Sequence, residues 1–360
     1  MLKLSLTGIG AILAYLLLWP VPVEPIAWQA PTNNGFSGAF AQNHKLAGVE
    51  IITLEDTHGP EALALMDNIL YATTREGWII RYNENTGEVS KWVNTEGSPL
   101  GIAFDNSNNL IVADAYRGLL SISVTGHITV LTDSINGETI RYADDLDIAD
   151  DGKIYFSDAS SKFGAQQFGG TYEASLLDIM EHGSHGRLLV YDPAEQTTEV
   201  VMDGLNFANG VAIDDQSRFV LVNETGTYRI HKYWLKGDKK GTSELLIDNL
   251  PGFPDNIVSG PQGRFWVGLV SPRNQLLDSV SSLPLVRKIV QRLPASMRPA
   301  TEHYSHVFAI DETGIIITSL QNPNGQHHTN TGALESEQWL YISSLHAPNL
   351  ARINKQSVGL

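Results

Sequence analysis

Residues 249 to 258 read "NLPGFPDNIV", and residues 203 to 212 read "DGLNFANGVA". Both stretches place an aromatic residue and one small residue before a polar pair, and an aliphatic residue follows the pair. An acid or an amide at the start of a buried strand is costly unless it has a partner. Because the pair recurs at the same point of two similar stretches, it indicates a repeat whose units bring these positions together.

The repeat has six units. From residue 45 onward, short β-branched and aromatic runs alternate with Asp, Asn and Gly turns, which is typical of strands. The units read "GPEALALMDNILYATT", "SPLGIAFDNSNNLIVADA", "YADDLDIADDGKIYFSDA", "FANGVAIDDQSRFVLVNET", "FPDNIVSGPQGRFWVGLV" and "NTGALESEQWLYISSL". Most are followed by one or two further strand-like runs. Six units of about four strands each predict an all-β, six-bladed β-propeller over residues 48–355.

The sixth unit is short of one strand, because little more than "LARINK" follows its inner strands. The run "VEIITL" at 49–54 precedes the first unit, and we expect it to supply that strand and close the ring. Two units carry insertions, around 162–185 and at 271–306. Within the second insertion, 275–292 has a helical period with basic residues at 287, 288 and 292. This pattern fits a helix packed on the domain or, alternatively, one that touches a membrane.

The N-terminal stretch 4–19, "LSLTGIGAILAYLLLW", is apolar and uncharged, and "PVPVEP" follows it. It is somewhat shorter than the about 20 residues that a spanning helix needs, and its flanking tryptophans suit a membrane interface. We predict an uncleaved anchor within 1–22 and a linker over 23–47, which places the propeller on the extracytoplasmic side, periplasmic or lumenal. A cleaved signal peptide, which makes the protein secreted, and a buried soluble helix are the alternatives.

The composition limits the partners. The chain of 360 residues has 40 acidic and 24 basic side chains, a formal net charge of −16. This balance argues against nucleic acid, whose phosphates need a basic surface, and it is compatible with a bound cation. The absence of cysteine excludes disulfides, thiolate chemistry and Cys-ligated zinc.

Aligning the units on their aliphatic residue places two columns of residues at the starts of the inner strands. The first column holds Glu61, Leu100, Asp144, Asn209, Asp255 and Gly332. The second holds Ala62, Gly101, Asp145, Gly210, Asn256 and Ala333. Since inner strands border the channel of a propeller, each column forms a ring around its axis.

The carboxylates of Glu61, Asp144 and Asp255 then face one another. Two unit charges 4 Å apart repel by about 4 kcal/mol at an effective dielectric of 20, so protons or a cation must neutralise them. The donors are oxygens, and no histidine lies in either column, which favours Ca²⁺ over Mg²⁺ and argues against zinc. We predict one Ca²⁺ near the axis, bound by those three residues with Asn209 and Asn256. The alternative is that these residues only cap strand starts in turns.

Several stretches together resemble the strictosidine synthase-like family, within a wider superfamily of gluconolactonases and paraoxonases. They are "VADAYRGL" at 112–119, "IYFSDASSKF" at 154–163, "FANGV" at 207–211, "PGFPDNI" at 251–257 and "FWVG" at 265–268. The resemblance covers roughly 48–353. It implies a six-bladed propeller, and the family includes an N-terminally anchored membrane protein with arylesterase activity.

The resemblance also implies ligands. Metal-binding members have Glu in a "GPE" motif, matched by Glu61, Asn in an "NG" pair, matched by Asn209, and Asp-Asn in the fifth blade, matched by Asp255 and Asn256. Their third-blade "ND" pair is Asp144-Asp145 here, which keeps an oxygen ligand and adds a charge. The catalytic His of paraoxonases is replaced by Leu100, and the catalytic Glu of strictosidine synthase by Gly332. Neither a paraoxonase-type His dyad nor alkaloid condensation is therefore expected.

Two functions follow. The first is a Ca²⁺-dependent hydrolase of a small-molecule carboxylic ester or lactone, in which the metal polarises the carbonyl and a base activates water. Asp255 is the first candidate base, by resemblance to gluconolactonases; His327 and His328, in the loop before the sixth inner strand, are the second, and His58 is a further one. The second function is a membrane-anchored propeller that binds a partner and holds a structural cation. An open coordination position over the metal distinguishes the two.

Overall fold

Six four-stranded antiparallel sheets follow one another along the chain in the computed structural model, which describes residues 2–54 and 56–360. Strand β1 (Glu50–Thr53) precedes the first sheet. The first blade contains β2 (Leu63–Met66), β3 (Ile69–Thr73), β4 (Trp78–Asn83) and β5 (Val89–Asn94). The second contains β6 (Pro99–Phe104), β7 (Leu110–Asp114), β8 (Gly118–Ile122) and β9 (Ile128–Thr132). A hairpin of β10 (Ser134–Ile135) and β11 (Glu138–Thr139) leads to the third blade.

The remaining blades repeat this order. The third contains β12 (Ala143–Ile148), β13 (Ile154–Asp158), β14 (Gly186–Asp192) and β15 (Thr197–Leu205). The fourth contains β16 (Ala208–Ile213), β17 (Phe219–Glu224), β18 (Arg229–Trp234) and β19 (Ser243–Ile247). The fifth contains β20 (Gly252–Gly260), β21 (Arg264–Pro272), β22 (Ser305–Ile310) and β23 (Ile316–Asn322). The sixth contains β24 (Ala333–Glu335), β25 (Trp339–Ile342) and β26 (Asn349–Asn354). The predicted six-bladed propeller is confirmed.

The sixth blade is completed by the N-terminal strand, as the sequence predicts. β1 pairs antiparallel with β26, with Glu50 opposite Arg352 and Ile52 opposite Leu350. Leu54, directly after β1, is buried in a core shared with the first blade. Pairing the two ends of the chain in one sheet covers the edge that an unclosed propeller exposes.

A β-bulge explains why the inner strands open with polar pairs. In blades two to five, the pairing of the inner strand shifts register at the polar-pair position, between Pro99 and Ile102, Ala143 and Leu146, Ala208 and Val211, and Pro254 and Ile257. A bulge breaks the alternation of side chains and turns the extra residue to a new direction. The polar pairs therefore lie where the alternation of side chains along the inner strand is interrupted.

Two glycines of the second column allow neighbouring inner strands to approach closely. A Cβ on Gly210 would lie 2.4 Å from the amide nitrogen of Ile257, and one on Gly101 would lie 2.4 Å from Oδ1 of Asp145. Any side chain there would separate adjacent blades at the axis, so the channel narrows where the polar pairs lie.

Helices come from the N-terminus, the insertions and the C-terminus. They are α1 (Leu2–Leu18), α2 (Thr171–Glu181), α3 (Gln275–Ser279), α4 (Pro284–Arg292) and α5 (Lys355–Val358). The helical period over 275–292 is thus divided in two, because Pro284 lacks the amide hydrogen that a continuous helix needs and instead begins α4. Among the residues described, no helix combines the length and apolar composition needed to cross a membrane.

The segment 19–47 is packed against the insertion helices. Val23 is buried among residues of α2 and α4, and the ring of Trp28 stacks on His182 with centroids 4.0 Å apart. The predicted domain boundaries at 22 and 47 stay a prediction, as does the anchor. Met1 and the side chains of residues 1–8, which belong to that predicted anchor, lie outside the described residues, as does Glu55.

Candidate functional site

The five predicted metal ligands meet at the propeller axis, and all are buried. Asn256 donates from Nδ2 to the backbone oxygen of Glu61 at 3.1 Å and to its Oε1 at 2.9 Å. This contact reaches from the fifth blade past the sixth, where Gly332 lies beside Asn256. The side-chain amide of Asn209 lies close enough to the carboxylate of Asp255 to lower its pKa. Asp144 completes the group from the third blade.

Burial and mutual repulsion make the charged forms of the three carboxylates unfavourable. Burial is the main cause, and charges on Asp255 and Asp144 add to it, so that the pKa of Glu61 lies well above its usual value. Burial and the charge on Asp255 likewise raise the pKa of Asp144. Burial raises the pKa of Asp255 from 3.8 to about 7. Among the described residues, no Lys, Arg or His side chain forms a salt bridge with any of the three carboxylates, so the group lacks a neutralising partner there.

Three buried oxygens at this point have no hydrogen-bond donor among the described residues. They are Oε2 of Glu61, Oδ1 of Asn209 and Oδ1 of Asn256. A buried polar atom without a partner costs about 1–3 kcal/mol. Because these three oxygens lie together with two further carboxylates, a bound cation that is coordinated by oxygen atoms would satisfy them. Carboxylate and amide oxygens are the donors that Ca²⁺ takes. By donor type and by these free oxygens, the residues fit a hard cation.

The acidic side chains do not form such a shell by themselves. Within residues 2–54 and 56–360, no three His, Asp or Glu side chains lie close enough together to hold a metal ion by themselves. A cation at the axis therefore depends on Asn209 and Asn256 as well as on the acids.

Three residues that the repeat alignment does not reveal hold the ligands in place. Asn223 donates from Nδ2 to the backbone oxygen of Asp255 at 2.5 Å, and Thr225 donates to that of Pro254 at 2.7 Å. Thr331 donates from Oγ1 to the backbone oxygen of Glu61 at 2.6 Å. The available signal is the polar end of the apolar strand "FVLVNET", whose last residues leave the sheet beside the next inner strand.

Asp145, the second member of its polar pair, joins two blades. Its Oδ2 accepts the amide hydrogen of Val211 at 2.9 Å, and its Oδ1 accepts that of Leu146 at 2.9 Å. Asp147, two residues on, accepts the amide hydrogen of Ile213 at 2.7 Å. The strand β16 faces the channel and has no further strand beside it, so these carboxylates satisfy its free amides. Both oxygens of Asp145 are thus already used.

Two pockets lead to the group from the end of the propeller that α2 covers. The first is apolar and has Asn209 and Asp255 among its lining residues, with walls that include Phe207, Phe253 and Leu277. It adjoins a cavity of about 430 Å³ between α2, α3 and residues 295–300. The second pocket is polar. It is lined by Glu61 together with Arg75, Tyr116, Glu173 and His346. Tyr172 and Leu345 border both pockets, which therefore meet above the axis.

The predicted histidines lie outside these two pockets. His327 is buried, which lowers its pKa to about 4, and its ring nitrogens contact the backbone oxygen of Asn349 at 3.1 Å and Nδ2 of Asn330 at 3.0 Å. His328 stacks on His303 with centroids 3.7 Å apart. His58 is exposed and lies 2.9 Å from Glu76. The histidine that lines the polar pocket is His346, which the sequence does not single out.

Comparison with known proteins agrees with these motifs. The family model described as strictosidine synthase matches residues 144–238, and the one described as strictosidine synthase-like, N-terminal, matches 38–82. Human adipocyte plasma membrane-associated protein is 32% identical over 385 residues, covering 99% of this chain and 89% of the relative. Strictosidine synthase-like 6 of Arabidopsis thaliana is 33% identical over 322 residues, covering 86% of this chain and 82% of the relative.

Solved structures share the fold. A gluconolactonase from Xanthomonas campestris superposes with a TM-score of 0.62 at 17% identity, covering 93% of this chain and 96% of the other. The calcium-binding protein regucalcin from Agrobacterium tumefaciens has a TM-score of 0.59 at 11% identity, covering 85% and 93%. At these identities the likeness concerns the propeller alone. The relatives of more than 30% identity match nearly the whole chain, and we conclude that the chain belongs to the strictosidine synthase-like family.

Proposed function

We propose that the chain is a calcium-dependent hydrolase of small carboxylic esters or lactones, with its site at the propeller axis. The observation that carries this proposal is the set of three unpartnered buried oxygens, which converge with two further carboxylates beneath an apolar pocket. Glu61, Asp144, Asn209, Asp255 and Asn256 would hold the ion. When bound, Ca²⁺ supplies a Lewis acid that polarises the ester carbonyl and stabilises the negative charge that develops on its oxygen.

Asp255 is the base in this proposal. Its side chain lines the apolar pocket, where a carboxylate can accept a proton from water during attack on a carbonyl. The hydrogen bonds that Asn223 and Thr225 donate to the adjacent backbone fix the position of its Cα. The apolar walls of the pocket bind the organic part of the substrate and exclude other water. Neither His327 nor His328 lines this pocket. A catalytic role for either histidine stays a prediction.

The second candidate is a binding protein whose cation is structural. The contact of Asn256 with Glu61 and that of Asn209 with Asp255 join the inner strands of different blades. A cation at this point would strengthen the ring whether or not a substrate reaches it.

We also infer membrane association through α1, with the propeller on the extracytoplasmic side, and secretion as the alternative. The name of the matched human relative supports membrane association. Further support comes from three buried arginines, which donate to backbone oxygens of the N-terminal segment: Arg292 to Trp19 at 2.6 Å, Arg287 to Ile26 at 2.8 Å and Arg273 to Pro31 at 2.5 Å. Cleavage at Ala30 would remove both backbone partners of Arg292 and one partner of Arg287, and each lost bond costs about 1–3 kcal/mol. Retention of the segment is therefore expected. Detection of α1 by mass spectrometry of the mature protein tests this, and a mature chain that starts after Ala30 would contradict it.

The experiment for the activity combines equilibrium dialysis with ⁴⁵Ca and a panel of aryl esters and lactones, assayed on the full chain with and without chelator. We expect one bound ion and hydrolysis that chelator abolishes and Ca²⁺ restores. Asp255→Asn should lose both, whereas Asp203→Asn, with the same charge change at an exposed position of the outer strand β15, should keep both. Binding of Ca²⁺ without hydrolysis of any ester or lactone would favour the structural cation. Absence of binding would refute both functions.

A further inference from the structure

Helix α4 buries two arginines beside the core residue Val290 and exposes a leucine. Arg287 and Arg292 are 2% and 6% exposed, whereas Leu285 is 59% exposed and Leu283, just before the helix, is 48% exposed. The arginines are turned inward because they donate to backbone oxygens of the N-terminal segment and of α2. Leu283 and Leu285 gain no hydrogen bond from facing outward. A helix that presents leucine to its surroundings and buries arginine is typical of contact with an apolar medium.

The outward-facing leucines belong to a larger group. Four exposed apolar residues of the fifth-blade insertion, Leu276, Leu283, Leu285 and Met297, are here called the insertion patch. The same end of the molecule carries further exposed apolar side chains on α1 and just after it, among them Leu17, Leu18, Trp19 and Ile26. On the propeller body, exposed large apolar residues are scattered over outer strands and turns. An apolar concentration of this kind marks a contact surface.

Charge indicates the nature of the partner. Residues 273–300 contain five of the 24 basic side chains and one of the 40 acidic ones, in a chain of net charge −16. Three of these five, Arg273, Arg287 and Arg292, are buried, and Lys288 forms an ion pair with Glu24. Among the described residues, Arg298 is the partly exposed cation of this insertion that has no acidic partner. Exposed leucine with local positive charge fits a bilayer surface, where apolar side chains enter the interface and cations meet phosphate groups.

α1 places the patch next to the predicted anchor. Arg292 of α4 donates to the backbone oxygens of Leu16, at 3.0 Å, and of Trp19, and so binds the C-terminal end of α1. Tyr15 of α1 donates its hydroxyl hydrogen to the backbone oxygen of Arg292 at 3.1 Å. The end of α1 and the C-terminal end of α4 are therefore held together, and a membrane that holds α1 lies close to α4.

The same elements form the entrance to the apolar cavity. Leu176, Leu277 and Arg298 line the cavity of about 430 Å³, and Leu176 and Leu277 also line the pocket above Asp255. An apolar path therefore runs from the insertion to the axis. Such a path has little use for a ligand that arrives from water, whereas it suits an acyl chain that leaves a bilayer.

We propose that the insertion patch rests in the lipid interface beside α1, and that ligands enter the apolar cavity from the bilayer. The nature of these ligands rests on the proposed function: they are esters or lactones with a long acyl chain that partition into lipid. The docking surface itself does not depend on that function.

The absence of cysteine allows a direct test. Leu285→Cys and Met297→Cys, labelled with an environment-sensitive nitrobenzoxadiazole group on the full chain, are compared in vesicles of phosphatidylcholine and phosphatidylserine that contain nitroxide-labelled acyl chains. The matched control is Ile315→Cys, 65% exposed and at the far end of β22 from the insertion. We expect a blue shift and quenching at 285 and 297 and neither at 315. Labels at 285 and 297 that behave like the label at 315 would overturn the proposal that the insertion patch contacts lipid.

The route is tested with Leu285→Glu and Met297→Glu combined in one chain. Hydrolysis of a long-chain ester in vesicles should fall about tenfold, the change expected when one leucine side chain no longer enters lipid. Hydrolysis of a short, water-soluble aryl ester should be unchanged. An equal loss for both esters, or for neither, would refute entry from the bilayer. If the parent chain hydrolyses no ester at all, the proposed function fails, and the labelling experiment still decides the surface.

Discussion

Replacing Asp255 by asparagine should stabilise the metal-free protein while it removes the response to calcium. In the metal-free chain, burial raises the pKa of Asp255 from 3.8 to about 7. This difference amounts to about 4 kcal/mol against the charged form at pH values above both. Because the folded state binds the extra proton, the free energy of unfolding falls as pH rises from about 4 to about 7, and it stays reduced above pH 7. Asparagine has the same shape and carries no such penalty.

Chemical denaturation in chelator measures the effect. At pH 8 the free energy of unfolding of Asp255→Asn should exceed that of the parent by up to about 4 kcal/mol, and the two should converge near pH 4. With Ca²⁺ at a hundredfold excess over Kd, the parent should gain about 2.7 kcal/mol and the variant nothing. A variant that is less stable than the parent in chelator at pH 8, or that keeps the calcium response, would show that Asp255 is not part of a repulsive, cation-binding group.

Other perturbations test the fold around the site. Leu54→Ala should cost about 2–5 kcal/mol, since Leu54 is 1% exposed beside the closing strand; a loss in denaturation experiments as small as that of a surface residue would contradict its role in ring closure. Glu224→Gln should cost about 3 kcal/mol at pH 7, because its bonds with His231 and the amide of Asn206, together with nearby charge, hold the pKa of Glu224 at about 2. That contribution is present above about pH 4.5 and is lost as pH falls towards 2, so parent and variant that differ equally at pH 3 and pH 7 would refute it. Arg287→Met should speed proteolysis within 19–47 by at least about tenfold, as the backbone oxygens of Ile26 and Ile179 lose their donor; unchanged cleavage would show that this contact does not hold the segment.

The repeat register made the propeller and its axial group predictable. Equivalent positions of a cyclic repeat must form rings, so Glu61, Asp144 and Asp255 could be brought together without knowledge of any distance. The closing strand was predictable from the number of strands, because the sixth unit lacked its fourth strand and the run at 49–54 belonged to no unit.

Features outside the repeat were not predictable in this way. Thr331 and Asn223 support the ligands through contacts between blades, which no local pattern encodes. The two pockets depend on how α2 and the insertion at 271–306 fold over the axis, and insertions have no register to align. For the same reason the sequence did not single out His346, which lies in an ordinary turn and lines the polar pocket. The adjacent histidines at 327 and 328 are conspicuous in the sequence but line neither pocket.

The pairing of β1 with β26 also has a consequence for how the chain reaches its native state. Arg352 donates to the carboxylate of Glu50 across 302 residues of sequence, so the first strand to leave the ribosome must wait for nearly the last. Closing a loop of that length costs about 5 kcal/mol of chain entropy, which no contact compensates until the sixth blade exists. During this interval the first five blades form an open arc with two unpaired edges, and the ring cannot close before the final residues are synthesised. A nascent chain tethered by its N-terminus would shorten the search, because the waiting strand stays near the point where its partner emerges.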